Sequence, residues 1–290
     1  ARPDRLDVFF SPAYACPLRL DLPRVTTVHD VSYFHFPQDF APAEAARRRL
    51  LVGASLAASA RVLTISEFSR RELLAVDPGL WPRLRVTPLA ADEDLPEGPP
   101  RAEARARLVQ SGPLLLSVGS IFNRRRLPEL LRAVALLAPR WPGLRLRVVG
   151  DNRTEPRLDL AARARELGLA GRVAFEGFVT EAQLADRYAA ADVAVFLSEY
   201  EGFGLPALEA AARGVPLVVS DRPALGEVFG AAALTVDPGD VNAIAAALGR
   251  VLADPVLRKG LVSRGQALAA AHSWGDVAFR TRAALAEAAP

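Results

Sequence analysis

Ten short apolar runs alternate with longer amphipathic stretches along almost the whole chain, and nothing else in the sequence constrains the fold as much. The runs are Asp7–Phe10, Arg24–His29, Val62–Ile65, Leu84–Pro88, Leu114–Val118, Leu144–Val149, Val173–Phe175, Val193–Leu197, Leu217–Ser220 and Leu234–Val236. Near-continuous apolar character over a few residues is what a strand covered on both faces requires. Between the runs, Leu127–Ala138, Arg157–Leu167, Ala182–Ala190 and Val241–Leu252 repeat their apolar residues at helical spacing. Strands alternating with helices predict an α/β protein of parallel sheets with helices on both sides. Thr180-Glu181-Ala182-Gln183 and Ser69-Arg70-Arg71-Glu72 read as capping boxes at helix starts.

Composition changes most sharply from Ala91 to Pro100, which is acidic, rich in Pro and Gly, and almost without apolar residues. Such a stretch reads as a linker. The expected division is a first domain over 1–94, a linker over 95–111, a second domain over 112–272, and an amphipathic helix over 273–290 packing back toward the first. Six strand runs suffice for a complete doubly wound second domain, whereas four leave the first incomplete. A chain of 290 residues, 51% hydrophobic and 24% charged, has the apolar material for two cores. No apolar run approaches the roughly 18–20 residues needed to span a bilayer. The single Cys16 excludes an internal disulfide and fits a reducing, cytoplasmic setting. A net charge of +3 is too small to argue for nucleic acid. Methionine is absent, position 1 included, so the expectation is a processed, engineered or partial chain.

Chemistry concentrates in Ser198-Glu199-Tyr200-Glu201-Gly202-Phe203-Gly204-Leu205-Pro206-Ala207-Leu208-Glu209. The stretch leaves one strand run and opens a helical one. Gly202 and Gly204 allow backbone angles closed to other residues and close approach of a ligand. Pro206 suits the first turn of a helix, and the unpaired N–H groups there form a cradle for a phosphate. Glu201 precedes that cradle and Glu209 lies just inside it. The competing reading makes Glu209 a surface acid favoured by the helix dipole. A second cluster is Gly119-Ser120-Ile121-Phe122-Asn123-Arg124-Arg125-Arg126 after the first strand run of the second domain. Ligands of open α/β sheets bind outside the carboxyl ends of strands, where arginines can clamp a diphosphate through paired donors. His29, beside Asp30 at the end of a strand run in the first domain, is a third candidate.

Other patterns compete with these. Gly202–Ala207 also satisfies G-x-G-x-x-A, with Asp221 about 20 residues on as a dinucleotide fingerprint asks. It follows the fourth strand of its domain rather than the first, which makes a nicotinamide-binding protein the minor alternative. Asp92-Glu93-Asp94 matches a metal-binding D-x-D pattern but sits in the linker, and no His/Cys cluster offers a metal site, so none is expected. Arg47-Arg48-Arg49 before Leu50-Leu51-Val52 is a candidate for peripheral contact with an anionic membrane, against the plainer reading of an exposed helix face.

Together these residues resemble the family-4 retaining glycosyltransferases of the two-domain GT-B fold, the glycosyl transferases group 1. The resemblance runs in order through Val28-His29-Asp30, Ile65-Ser66-Glu67-Phe68-Ser69, Val118-Gly119 with Arg124 to Leu127, Ala191-Asp192-Val193, Glu201 to Pro206 with Glu209, Val236-Asp237-Pro238 and Ser273-Trp274. It implies two Rossmann-like doubly wound domains facing a cleft. It also implies transfer of a sugar from a nucleotide diphosphate-sugar, GDP- or UDP-linked, to an acceptor hydroxyl, with retention of configuration and no cofactor or metal. By resemblance Glu209 binds ribose and Glu201 contacts the donor sugar. Arg124, Arg125 and the Gly204–Leu205 backbone hold the diphosphate, and His29 faces the reacting sugar. Gly119, Arg126, Gly202 and Phe203 complete the donor residues, with Phe178 and Val179 beside the base. A saccharide or lipid-linked acceptor at the inner membrane face is implied as well. The chain departs from the family in having Arg125 where a Lys is usual, and Ser120 where a further basic residue is usual. It also lacks the usual opening strand and glycine-rich loop. The first domain is therefore expected to be incomplete unless a second chain supplies those elements, and a non-catalytic nucleotide-sugar-binding module is the alternative function.

Overall fold

The computed structural model describes residues 6–91 and 96–289, which form two compact units. The first unit holds residues 6–90, 201–203 and 272–289; the second holds 91, 96–200 and 204–271. Asp92-Glu93-Asp94 lies outside the described residues.

The first unit is built on β1 (Phe9–Ser11), β2 (Arg24–Thr27), β3 (Arg61–Thr64) and β4 (Leu84–Val86), all parallel and in that spatial order. Helices α1 (Ser32–His35) and α2 (Pro42–Ala58) lie between β2 and β3, and α3 (Glu67–Val76) lies between β3 and β4. Val28, Val52, Leu56, Val62, Leu73 and Leu80 form the core, each at most 3% exposed. The capping box expected at Ser69–Glu72 is displaced by one turn. Ser66 is the N-cap of α3, its hydroxyl accepting from the Ser69 N–H at 3.0 Å, so Ser69 is the third helical residue. The first serine after the strand satisfies the orphan donors, and the helix begins there.

The second unit runs α4 (Arg101–Arg107), β5 (Leu114–Val118), α5 (Leu127–Leu137), β6 (Arg145–Val149), α6 (Leu160–Glu166), β7 (Val173–Phe175), α7 (Glu181–Ala190), β8 (Val193–Phe196), α8 (Leu205–Ala212), β9 (Leu217–Ser220), α9 (Pro223–Phe229), β10 (Ala233–Val236), α10 (Val241–Ala253) and α11 (Pro255–Ala270). Its strands are parallel in the order β10-β9-β8-β5-β6-β7. Chain direction across the sheet therefore reverses between β5 and β8, which pair through Leu115 with Val193 and Leu116 with Ala194. Leu115, Leu131, Leu146, Val193, Val218 and Leu248 are fully buried or within 1% of it. Each such side chain stabilises the fold by about 1.5–3 kcal/mol relative to exposure.

The stretch expected as a linker over 95–111 contains α4, which belongs to the second unit. Ala104 and Leu108 pack with Leu114 and Ala190, and Asp192 accepts hydrogen bonds from Arg101, Arg105 and the Leu114 N–H. The charged, Pro-rich stretch hid a short helix whose stability comes from ion pairs and two apolar residues. The last helix, α12 (Trp274–Ala288), is part of the first unit: Ala284 and Ala288 pack on Val25 and Leu63, and Glu287 bridges Arg61 and Arg85.

Candidate functional site

In a doubly wound sheet the point where strand order reverses leaves a crevice at the carboxyl ends of the two strands beside it. Here those strands are β5 and β8, followed by the stretches starting at Gly119 and Leu197. Gly119 has φ +119°, and a Cβ there would lie 2.7 Å from Arg125 Nη1, so the guanidinium of Arg125 rests on the bare glycine. Arg125 Nη1 also donates to the Val118 carbonyl at 3.3 Å. Arg124 stacks over the Phe122 ring at 4.2 Å, and its carbonyl accepts from the Glu199 N–H at 2.8 Å. That backbone bond ties the ends of β5 and β8 together.

Arg126 differs from the other two. It caps α5 in the left-handed region (φ 52°) and is bound to Glu199, with Nε on Oε1 at 2.8 Å, and lies 3.7 Å from Glu129. Glu199 Oε2 accepts from Arg222 Nε at 2.9 Å, and Arg222 continues to Asp237 at 2.9 Å. Arg126, Glu199, Arg222 and Asp237 thus form an ion-pair chain across the ends of β5, β8, β9 and β10. The arginine run announced the cation; Glu199, two residues before Glu201, gave no separate signal.

Gly204 caps α8 in the left-handed region (φ +98°), where a Cβ would lie 2.6 Å from Leu225 and 3.0 Å from Phe229. Pro206 stands in the first turn. Glu209 lies one turn in, its Oε2 accepting from the Tyr188 hydroxyl at 3.0 Å. Beyond β6 and β7 a cavity of about 540 Å³ is lined by Gly150, Asp151, Asn152, Arg157, Phe175 and Gly177 among others. Phe178, next in the chain, is 91% exposed, with Val179 half-buried behind it. Asp221 is exposed and paired with Arg222.

Within the first unit, His29 follows β2. The Ser69 hydroxyl donates to the His29 carbonyl at 2.9 Å, and the Ser66 hydroxyl donates to the Gly202 carbonyl at 2.6 Å. A Cβ on Gly202 would come within 2.8 Å of the His29 carbonyl. Phe203 is buried, edge-on to His272 at 5.7 Å. Tyr14 has φ 55° and sets its ring edge-on to His29 at 5.2 Å, while its hydroxyl donates to Asp30 Oδ2 at 3.0 Å. Burial lowers the His29 pKa from about 6.5, against a smaller upward pull from Asp30. Burial, reinforced by Asp30, raises the Tyr14 phenol. Sequence reasoning missed Tyr14; a tyrosine in a polar loop carries no signal until the loop folds over the strand end.

Arg47–Arg49 lie on α2. Arg48 pairs with Glu44 and stacks on Phe40, and Arg49 donates to the Tyr33 and Phe34 carbonyls, which leaves Arg47 as the exposed member. Among the described residues no helix is long and apolar enough to cross a membrane.

The family model described as glycosyl transferases group 1 matches residues 101–267. O-antigen chain mannosyltransferase B of Escherichia coli is 33% identical over 280 residues, covering 94% of this chain and 72% of that protein. Against three further curated relatives the chain spans 33%, 54% and 47% of their length. Among solved structures, sucrose-phosphate synthase from Thermosynechococcus elongatus superposes with a TM-score of 0.74 at 28% identity, over 91% of this chain and 67% of that one. Anabaena Alr3699/HepE in complex with UDP and glucose gives 0.75 at 22% identity, over 90% and 70%.

Proposed function

The chain belongs to the glycosyl transferases group 1 family, with the α/β architecture of GT-B glycosyltransferases, and on that premise we propose that it transfers a hexose from a nucleoside diphosphate-sugar to an acceptor hydroxyl, with retention of configuration and without a bound metal. The observation that carries the reading is the chain order at the reversal point: Arg124 and Arg125 follow β5, and the start of α8 follows β8, the two strands that flank it. A diphosphate is the ligand such a set suits: two guanidinium groups and a helix N-terminus supply donors and positive potential. A solved neighbour of the same fold holds UDP and glucose, and a relative is named for mannosyl transfer, which supports a UDP- or GDP-linked hexose.

Roles follow the family resemblance, and the chemistry agrees with them. Glu209 accepts from the ribose hydroxyls, and the base lies toward the cavity beside Phe178 and Val179. The Gly204–Leu205 backbone with Gly119, Arg124 and Arg125 receives the diphosphate. Arg126 holds its loop through Glu199. Glu201, Gly202, Phe203 and His29 are assigned to the sugar. As the bond from the anomeric carbon to the diphosphate breaks, negative charge grows on the leaving group and the ring becomes oxocarbenium-like. Donors already in place there stabilise the transition state more than the ground state. A His29 held neutral by its burial can hydrogen-bond a sugar hydroxyl without adding a positive charge beside a positive ring. Retention requires the acceptor oxygen to bond on the face the diphosphate leaves, its proton departing with the nucleoside diphosphate. The acceptor is a saccharide or lipid-linked saccharide, met by peripheral contact with a membrane surface.

Isothermal titration with UDP, GDP and ADP tests the first step; heat of binding for none of them removes the proposal. Binding without transfer from UDP- or GDP-hexoses to saccharide acceptors would leave the chain a donor-binding module.

A further inference from the structure

Resting on the assignment of Glu209 to the donor ribose, we infer that Tyr188 is a positioning residue that fixes the Glu209 carboxylate before the nucleotide arrives. Tyr188 lies near the end of α7 and is 1% exposed, with its hydroxyl aimed at α8. The hydroxyl donates to Glu209 Oε2 at 3.0 Å and lies 3.3 Å from the Pro206 carbonyl, so it touches the two α8 residues that bracket the first turn. Arg213, one turn beyond Glu209 in sequence, covers the Tyr188 ring at 5.6 Å and donates to the Glu209 carbonyl at 3.4 Å.

The physics assigns a function to this arrangement. A glutamate on a helix surface has several rotamers, and ordering such a side chain on binding costs affinity. A hydrogen bond from a buried phenol removes that cost in advance. An ionised carboxylate has about four acceptor positions, so one can serve Tyr188 while others serve a vicinal diol. The phenol remains a donor throughout the working pH range, because burial and the neighbouring carboxylate hold it protonated. The ring of Tyr188 is buried, and the hydroxyl is the part that reaches α8.

The test compares UDP with 2′-deoxy-UDP, and GDP with 2′-deoxy-GDP, by titration of the wild-type chain, Tyr188→Phe, Glu209→Gln and the double variant. Wild type is expected to prefer the ribonucleotide. Tyr188→Phe should weaken ribonucleotide binding by roughly tenfold, the scale of a hydrogen bond to a charged group, and leave the deoxynucleotide nearly unmoved. In turnover it should raise KM with little change in kcat, as for an interaction shared by ground and transition states. On a Glu209→Gln background the Tyr188→Phe change should then have little further effect. Undiminished preference for ribose in Tyr188→Phe, or an equal loss with and without Glu209, would show a merely structural tyrosine and overturn the inference. Equal affinity of wild type for ribo- and deoxynucleotides would instead overturn the assignment of Glu209, and the inference with it. Tyr188→Phe keeps the ring volume; should it fail to fold, the hydroxyl serves stability and the inference falls.

Discussion

Arg126 and Glu199 meet through a 2.8 Å bond from Nε to Oε1, joining the turn after β5 to the turn after β8. Arg222 holds the other oxygen of the same carboxylate at 2.9 Å. Two strand ends that diverge at the reversal point are thereby held at one spacing, and Arg124 and Arg125 are presented from a loop that is fixed at its far side. The third arginine of the run is a strut for the other two.

Glu199→Gln should therefore weaken binding of the nucleoside diphosphate without touching it. Glu199 is mostly buried while both arginines are partly exposed, so the loss of stability is small, about 1 kcal/mol after allowance for solvent screening. Thermal denaturation and titration, run on the same preparation, should show a modest drop in melting temperature with a severalfold weaker affinity. Unchanged affinity would remove the strut role.

Arg125→Ala should cost roughly tenfold or more in diphosphate affinity, the scale of a charge-assisted hydrogen bond. Gly119→Ala should imitate it, because the new Cβ would stand 2.7 Å from the guanidinium on a backbone at φ +119°. Titration at two salt concentrations provides the check: wild-type affinity should fall more steeply with salt than that of Arg125→Ala.

Gly204→Ala should be the most damaging single methyl in the second unit's motif. It requires a left-handed conformation and places the Cβ 2.6 Å from Leu225. Strain and overpacking together cost about 2–4 kcal/mol, readable as a lowered denaturant midpoint. Asp221→Ala, by contrast, should leave nucleotide binding as it is, since that acid is exposed and pairs with its chain neighbour Arg222.

Stability should depend on His29 in acid. Its folded pKa lies below the unfolded value of about 6.5 because burial penalises the cation. The unfolded chain then binds more protons in that window, so the contribution is fully present above about pH 6.5 and is lost as pH falls toward the folded pKa. Melting temperature should decline from pH 7 to pH 5, and His29→Asn should flatten the decline. An NMR titration showing His29 protonating at or above the ordinary value would contradict it.

All ten strand runs hold strands, because a strand buried on both faces must be apolar throughout and such runs are visible one residue at a time. The glycine turn before α8 was legible for a similar reason: Gly204 does occupy a conformation other residues resist. Boundaries fared worse. Helix α4 was hidden in a charged Pro-rich stretch, and α3 is capped by Ser66 rather than by the serine three residues later, since either serine can serve as a cap until the strand end fixes where the helix begins.

What the sequence alone determined was the alternation that makes parallel sheets, together with the residue types able to hold an anion at strand ends. Tertiary structure decided which of those residues act together: that Arg126 is spent on Glu199, that Tyr14 folds onto His29, and that Tyr188 stands behind Glu209. Apolar periodicity is a local property, set by each residue's own transfer from water. Pairing of polar groups depends on which strands become neighbours, and β5 and β8, about 80 residues apart in the chain, become neighbours only when the sheet is assembled.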